Sequence, residues 1–425
     1  MGKGLGIRDQ GLTKVSEVID EISMGPFGSD IKVENFVLSG VPVLNGSNLS
    51  GFRLTEVEFK YVTKEKAKTY KKAIARRGDI VITHRGTLGQ VSFIPDNSKY
   101  DSYVISQSQF RVRLKREKAD PAFFVYYFHT DEGQKRLLSF KNHVGVPALA
   151  QATSNFRLLQ IPLPDLSTQQ KIAAVLSALD AKIELNQRIN AELESIAKTL
   201  YDYWFVQFDF PNEKGKPYKS AGGGMVWNEG LKREIPLGWE VGTLLDIADF
   251  MNGLPCQKFR PTGSESLRVI KIREMHEGFS ENSELTRPDI PQKAIIENGD
   301  VLFSWSASLE VQIWSGGKGA LNQHIFKVTS DKYPKSFYYY QLINYLTHFK
   351  MMAENRKTTM GHITQEHLQQ SRIALPTKHL TLKLEKIIDP IFKRKTVNEI
   401  DSQTLTELRD WLLPMLMNGQ VRVMG

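Results

Sequence analysis

Lys72-Ala73-Ile74 with Gly78-Asp79-Ile80-Val81 returns later in the chain as Lys293-Ala294-Ile295 with Gly299-Asp300-Val301-Leu302, at the same internal spacing. A pattern written twice in one chain points to two copies of one folding unit, with a period here of about 210 residues. Working outward, Ser106-Gln107-Ser108-Gln109-Phe110-Arg111-Val112 is echoed by Asn322-Gln323-His324-Ile325-Phe326-Lys327-Val328, and aromatic helix segments follow at 123–128 and 337–340. Each half leaves through prolines, Ile161-Pro162-Leu163-Pro164 and Ala374-Leu375-Pro376, and upstream 242–253 reads as the counterpart of 13–25.

Each exit opens onto a long amphipathic segment. In the first, Ser167 and Gln170 stand at capping-box spacing. Ile172, Leu176, Leu179, Ile183, Asn186, Asn190, Leu193, Ala197, Leu200 and Trp204 then alternate in steps of four and three, a heptad seam. The second segment offers Leu380, Leu384, Ile387, Ile391, Arg394, Asn398, Asp401, Leu405, Leu408 and Leu412. Both seams are polar in the middle. Whether Asn186 lies level with Arg394 or with Asn398 stays open, because a heptad seam looks alike after a shift of four. Lone helices of about 40 residues with so narrow a stripe are unstable in water, so the two are expected to bury their seams against each other. Two copies of one unit pack about a pseudo-two-fold axis, which makes the pair antiparallel and gives a rod with a head at each end.

The expected class is therefore α+β: two α/β domains separated by an antiparallel two-helix coiled coil, with a pseudo-two-fold internal repeat. Residues 1–163 form the first head and 164–208 the first long helix. Residues 209–238 form a Gly/Pro-rich linker, 239–375 the second head, and 376–425 the second long helix and tail. The linker carries Pro211, Gly215, Pro217 and Gly222-Gly223-Gly224, a composition that disfavours helix and strand alike.

With 41% hydrophobic and 24% charged residues over 425 positions, the chain reads as a folded protein of two to three domains. No apolar run approaches the ~18 residues needed to cross a bilayer, and no apolar stretch follows the first lysine, so secretion and membrane insertion are not expected. The lone Cys256 excludes an internal disulfide, a zinc knuckle and an iron–sulfur cluster, and fits a reducing cytoplasm. Lys and Arg exceed Asp and Glu, 56 against 47, for a net charge of +9, which favours a polyanionic partner.

Catalytic patterns are missing. Gly316-Gly317-Lys318-Gly319 lacks the spacing and the hydroxyl of a phosphate-binding loop, and no Asn/Asp-Pro-Pro-aromatic motif of amino-methyltransferases occurs. Pro164-Asp165 with Asp180 and Lys182 loosely matches a metal-dependent nuclease. The last two, however, fall between seam positions Leu179 and Ile183 and are read as solvent-facing. The nine histidines have no metal-ligand spacing and Cys256 has no adjacent base, so no catalytic residue and no metal site is assigned.

The informative chemistry lies in the polar loops after the Gly-Asp strands. Thr83-His84-Arg85-Gly86-Thr87 stands where Ser304-Trp305-Ser306-Ala307-Ser308 stands in the second half, so the scaffold repeats while the displayed side chains differ. Arg can donate twice to guanine O6 and N7, and Gln or Asn can pair with adenine N6 and N7. His84, Arg85, Gln107, Gln109, Trp305, Asn322, Gln323 and His324 are therefore the base-reading candidates; the competing reading makes them turn and strand groups satisfied by backbone. The run Lys64, Lys66, Lys68, Lys71, Lys72, Arg76, Arg77 precedes the first loop, and from it Lys71, Lys72, Arg76 and Arg77 are taken as phosphate contacts. Arg356, Lys357 and Thr358, near His362, are their candidates in the second half.

One stretch runs from Leu179-Asp180-Ala181-Lys182-Ile183-Glu184-Leu185-Asn186-Gln187-Arg188-Ile189-Asn190 through Tyr201-Asp202-Tyr203-Trp204-Phe205. Together with Phe208-Asp209-Phe210-Pro211, Ile235-Pro236-Leu237-Gly238-Trp239 and Leu405-Thr406-Glu407-Leu408-Arg409-Asp410, it resembles the specificity subunit of type I restriction-modification systems over essentially the whole chain. The resemblance implies two target-recognition domains, each reading half of a split double-stranded DNA site, with the helices as the ruler between them. It also implies docking of two modification subunits, which bring S-adenosylmethionine and methylate adenine N6, and of restriction subunits, which bring ATP, Mg and cleavage. The chain itself would then bind no cofactor and act as a non-catalytic subunit. The alternatives are the DNA-reading subunit of a related methyltransferase or fused restriction system, a self-sufficient nuclease or methyltransferase, and a coiled-coil scaffold that binds no DNA.

Overall fold

The computed structural model describes residues 11–26, 31–142, 146–355 and 362–423. The repeated Gly-Asp motif begins the central strand of each half, and its local chemistry is the same in both. Gly78 and Gly299 take φ of +81° and +94°, where a Cβ would be strained. The next residue closes the turn, as the Arg76 N–H donates to Asp79 Oδ2 and the Glu297 N–H to Asp300 Oδ2, both at 2.9 Å.

From this start the first half builds an antiparallel sheet of β1 (Ile19–Met24), β2 (Ile80–Thr83), β3 (Val91–Phe93) and β4 (Gln109–Leu114), in the order β1-β4-β2-β3. The second half builds β5 (Asp249–Asn252), β6 (Val301–Ser304), β7 (Glu310–Ile313) and β8 (Ile325–Thr329) in the order β5-β8-β6-β7. A second four-stranded sheet in each domain contains one parallel pair, Val41–Val43 with Ser102–Val104 and Leu267–Ile270 with Gly319–Leu321. Each domain is stitched shut where it begins and ends, by Leu12–Lys14 on Gln160–Pro162 and Glu240–Thr243 on Arg372–Leu375. The chain is thus an α+β protein whose two domains share one topology.

Two helices of 40 residues follow the domains, α1 (Leu166–Phe205) and α2 (Lys378–Met417). The capping box expected at Ser167 and Gln170 is not what starts α1. The Asp165 carboxylate accepts from the Thr168 N–H at 2.9 Å and from its hydroxyl at 2.8 Å, and a negative group there also suits the helix dipole. Residues 1–182 with 405–425 form one compact unit and 183–404 the other, so each unit holds one domain and a stretch of both helices. Within each unit the helices run antiparallel. In the first, Ile172 and Leu176 of α1 share a core with Leu413 and Leu416 of α2. In the second, Asn190 Nδ2 donates to the Lys395 carbonyl at 3.1 Å, and Asn398 Nδ2 donates to Asn190 Oδ1 at 2.8 Å. Asn186 Nδ2 reaches the Asn398 carbonyl at 3.4 Å, so Asn398 and not Arg394 lies level with it.

The ten seam positions of α1 are buried or half-buried. On α2 the heptad reading needs correction. Ile387 and Leu408 are 44% and 41% exposed, and Arg394 and Asp401 also face solvent. Leu384, Ile388, Phe392 and Asn398 are buried instead. Leu380 is buried too, and Ile391, Leu405 and Leu412 are half-buried. A strict 3.5-residue repeat drifts against the 3.6-residue turn of a straight helix. Here α2 follows the straight-helix period because it must also pack on its domain, with Phe392 against Tyr339 and Tyr340 at 5.3 and 5.7 Å.

The Gly/Pro-rich segment is also more ordered than its composition suggests. Met225–Asn228 pairs with Arg233–Pro236 as a hairpin, and Phe210 stacks on Tyr218 and Trp239 at 4.6 and 5.5 Å. Aromatic burial there outweighs weak local propensity. Among the described residues no helix is long and apolar enough to cross a membrane.

Candidate nucleic-acid interface

In the first domain a cleft of about 860 Å³ opens between the edge strand β1 and the turn at 69–73. The chain brings basic groups there by local rules. Thr63 caps the lysine-bearing helix Lys64–Thr69, its hydroxyl accepting from the Lys66 N–H at 3.1 Å. The chain then turns through Lys71–Ala73. Buried Arg111 on β4 donates from Nε to the Lys72 carbonyl at 3.1 Å, which ties this turn to the sheet.

On the opposite wall, the loop after β2 is held by hydrogen bonds from the Gly86 N–H to the Pro147 carbonyl at 3.0 Å and from the Leu149 N–H to the His84 carbonyl at 2.9 Å. Arg85 is exposed at the tip, and His84 Nε2 lies 3.1 Å from the carbonyl of exposed Gln107. Burial holds the His84 imidazole below its ordinary range, so it faces the cleft neutral at pH 7. Lys71, Lys72, His84, Arg85 and Gln107, drawn from three separate stretches, thus line one cleft.

Three other first-domain candidates do not. Gln109 is 1% exposed, with its Oε1 accepting the Ser106 N–H at 2.9 Å, so it holds the β4 entry and is corrected from reader to scaffold. Arg77 pairs with Asp101 at 3.0 Å and donates to the Ser98 carbonyl at 2.7 Å, away from the cleft lining. Arg76 is exposed but also outside it. Sequence reasoning passed over Glu21, Ser23, Tyr70 and Thr153, which do line the cleft. The correspondence of 13–25 with 242–253 marked the β1 edge but carried no chemistry with it.

Beneath the cleft lies a balanced ionic cluster. Arg113 grips buried Asp79 through Nε and Nη2 at 2.7 and 2.8 Å. Arg111 Nη1 stands 3.6 Å from the same carboxylate. Glu21 accepts from Arg111 Nη2 and, at 3.3 Å, from Arg113 Nη1. The hydrogen bond from Arg111 holds the Glu21 carboxyl below the usual range.

In the second domain Trp305 takes the scaffold position of His84. Its N–H donates to the His324 carbonyl at 3.3 Å, and its carbonyl accepts from the Ile363 N–H at 2.9 Å. The indole Nε1 donates to Asn252 Oδ1 on β5 at 2.9 Å, while His324 and His362 pack on the ring at 5.6 and 5.3 Å. Trp305 is therefore an anchored aromatic surface flanked by exposed His324. Asn322 is 6% exposed and its side-chain oxygen accepts the His324 N–H at 3.3 Å, which corrects it from reader to turn former. Gln323 is half-buried, with Nε2 3.4 Å from His324 Nε2. Arg356, Lys357 and Thr358 lie outside the described residues.

Asp180 does not face solvent as its position beside the seam suggested. It is buried, accepting from Arg409 Nη1 at 2.9 Å and from the Tyr126 hydroxyl, while Asp165 caps α1, so both carboxylates of the loose nuclease match are structural. Burial raises the Cys256 thiol to about 11, which leaves it a poor nucleophile.

The family model for the type I restriction modification DNA specificity domain matches this chain twice, at residues 30–195 and 236–407. The chain is similar to the type I restriction enzyme MjaIX specificity subunit of Methanocaldococcus jannaschii, 25% identical over 98% of this chain and 94% of that one. It is also similar to the type I restriction enzyme HindI specificity subunit of Haemophilus influenzae, 24% identical over 83% of this chain and 88% of that one. Its fold is like that of the type I restriction-modification S subunit from M. genitalium, with a TM-score of 0.59 at 14% identity, covering 100% and 99% of the two chains.

Proposed function

The chain belongs to the type I restriction-modification DNA specificity family, and from that premise we propose that its two domains read the two halves of one bipartite DNA site. The observation that carries this is the doubled scaffold with unlike side chains at one position, His84 beside Arg85 in one domain and Trp305 beside His324 in the other. In the first domain Lys71 and Lys72 contact phosphates, and Arg85 and Gln107 offer the donor patterns that fit guanine and adenine edges. In the second, Trp305, Gln323 and His324 form the reading surface. The chain is a non-catalytic subunit: two modification subunits carrying S-adenosylmethionine supply methylation, and restriction subunits supply ATP- and Mg-dependent cleavage. The paired helices set the spacer between half-sites.

Sequencing the methylated positions in DNA modified by the complex tests this directly. Two different half-sites at a fixed spacing are expected. Inserting four residues beside Asn186 lengthens α1 by ~6 Å at ~1.5 Å per residue. Set against a base-pair step of ~3.4 Å, this should widen the spacer by one or two base pairs and leave both half-sites intact. New half-sites with an unchanged spacer would overturn the assignment.

A further inference from the structure

The reading cleft of the first domain contains one group that does not belong in a phosphate-binding surface. Glu21, on edge strand β1, lines the cleft with Lys71, Lys72 and Arg85, and its side chain is 45% exposed. A carboxylate at that place repels the DNA backbone unless the duplex returns a hydrogen-bond donor to it.

The ionic cluster alone does not require Glu21. In the second domain the equivalent clasp is a single pair, Lys327 Nζ on Asp300 at 2.7 Å with a further bond to the Ile295 carbonyl at 3.2 Å. The position matching Arg113 is there Thr329, opposite Asp249. The same scaffold is closed with one cation and one anion, and Asp249 stands where Glu21 does, so what differs between the domains is not the carboxylate but the guanidinium groups that grip it. Their effect is to deliver an anchored carboxylate to the cleft. Arg111 and Arg113 each occupy one acceptor position of Glu21, one on each oxygen, and each oxygen has a second. Two guanidinium groups thus fix and ionise the carboxylate before DNA arrives, which lowers the ordering cost of using the remaining lone pairs.

In the major groove only cytosine N4 and adenine N6 present amino donors. Adenine sets the N7 acceptor beside N6, where it opposes a carboxylate, whereas cytosine shows its amino group alone. We infer that Glu21 is a specificity-determining residue that accepts a hydrogen bond from the N4 amino group of a cytosine in the first half-site. The inference rests on the reading of the first domain as a half-site reader.

The test uses the full chain and a pool of randomised duplexes, with bound sequences counted for the parent, Glu21→Gln and Glu21→Asp. The parent should require cytosine at one position of the first half-site. Glu21→Gln, which can pair with both N6 and N7, should move that preference to adenine, a change of about ten- to a hundred-fold in relative binding. Glu21→Asp keeps the charge but withdraws it by one methylene, and should weaken the cytosine preference without favouring adenine. Amide-exchange protection of β2 equal to the parent's shows that the first domain of each variant is folded. The inference fails if the parent shows no cytosine requirement in the first half-site. It also fails if both variants keep the parent's preferences, or if Glu21→Gln lowers binding to all sequences equally, as a purely structural ion pair predicts. A parent that selects no sequence at all would instead refute the half-site reading beneath it.

Discussion

The two domains close the same turn with different electrostatic hardware. In the first, Asp79 is 1% exposed and holds two guanidinium groups, one of them Arg111 at 3%. In the second, Asp300 and Lys327 are 24% and 18% exposed and pair alone. Both clusters tie the strand after the Gly-Asp turn to its neighbour and to a nearby backbone carbonyl, of Lys72 in one and Ile295 in the other. The repeat preserves a role and lets its chemistry vary.

The largest test of this contrast is Asp79→Asn against Asp300→Asn. The first leaves Arg111 buried with only Glu21 as an anionic partner, and a broken buried pair costs about 3–5 kcal/mol. The second should cost about 1–2 kcal/mol, since Lys327 reaches water and charged hydrogen bonds are worth about 1.5–3 kcal/mol before that relief. Amide exchange in β2 and β6 would read each domain separately, and equal costs would erase the distinction.

Next in size, Arg85→Ala should lose about 1–3 kcal/mol of discrimination in the first half-site only, and Trp305→Ala should act on the second half-site only. Selection from randomised duplexes would show it; either variant disturbing both halves equally would mean that the domains are not separate readers. A smaller and uniform effect is expected of Lys71→Gln with Lys72→Gln. Binding should weaken for every sequence, and the slope of log affinity against log salt should flatten by about 0.9 for each phosphate no longer neutralised. Arg77→Gln, whose guanidinium is occupied by Asp101 and Ser98, should leave the slope in place.

The smallest effect concerns pH. Burial lowers both His84 and His129, and His129 Nε2 lies 2.6 Å from the Val91 carbonyl. Unfolded histidine takes up protons below about 6.5 while the folded side chains resist until a lower pH, so the unfolded state binds more protons across that window. The first domain should therefore lose stability as pH falls through about 6.5, and His129→Gln should reduce that slope in urea titrations.

By itself the sequence determined whatever depends on local pattern or on the chain repeating itself. The Gly78-Asp79 and Gly299-Asp300 turns, the doubled sheet, the two long helices and the loops at His84 and Trp305 are of this kind, because a positive φ, a side-chain cap and a helical period are set within a few residues. Only the tertiary structure decided the pairings across long separations. Asp180 meets Arg409 across 229 residues and Asn186 meets Asn398 across 212, and no local rule distinguishes a solvent-facing carboxylate from one that a distant guanidinium will cover. The face of α2 and the burial of Gln109 and Asn322 were likewise settled by what packs against them, since the free energy of hiding a group depends on its neighbours in space and not on its neighbours in the chain.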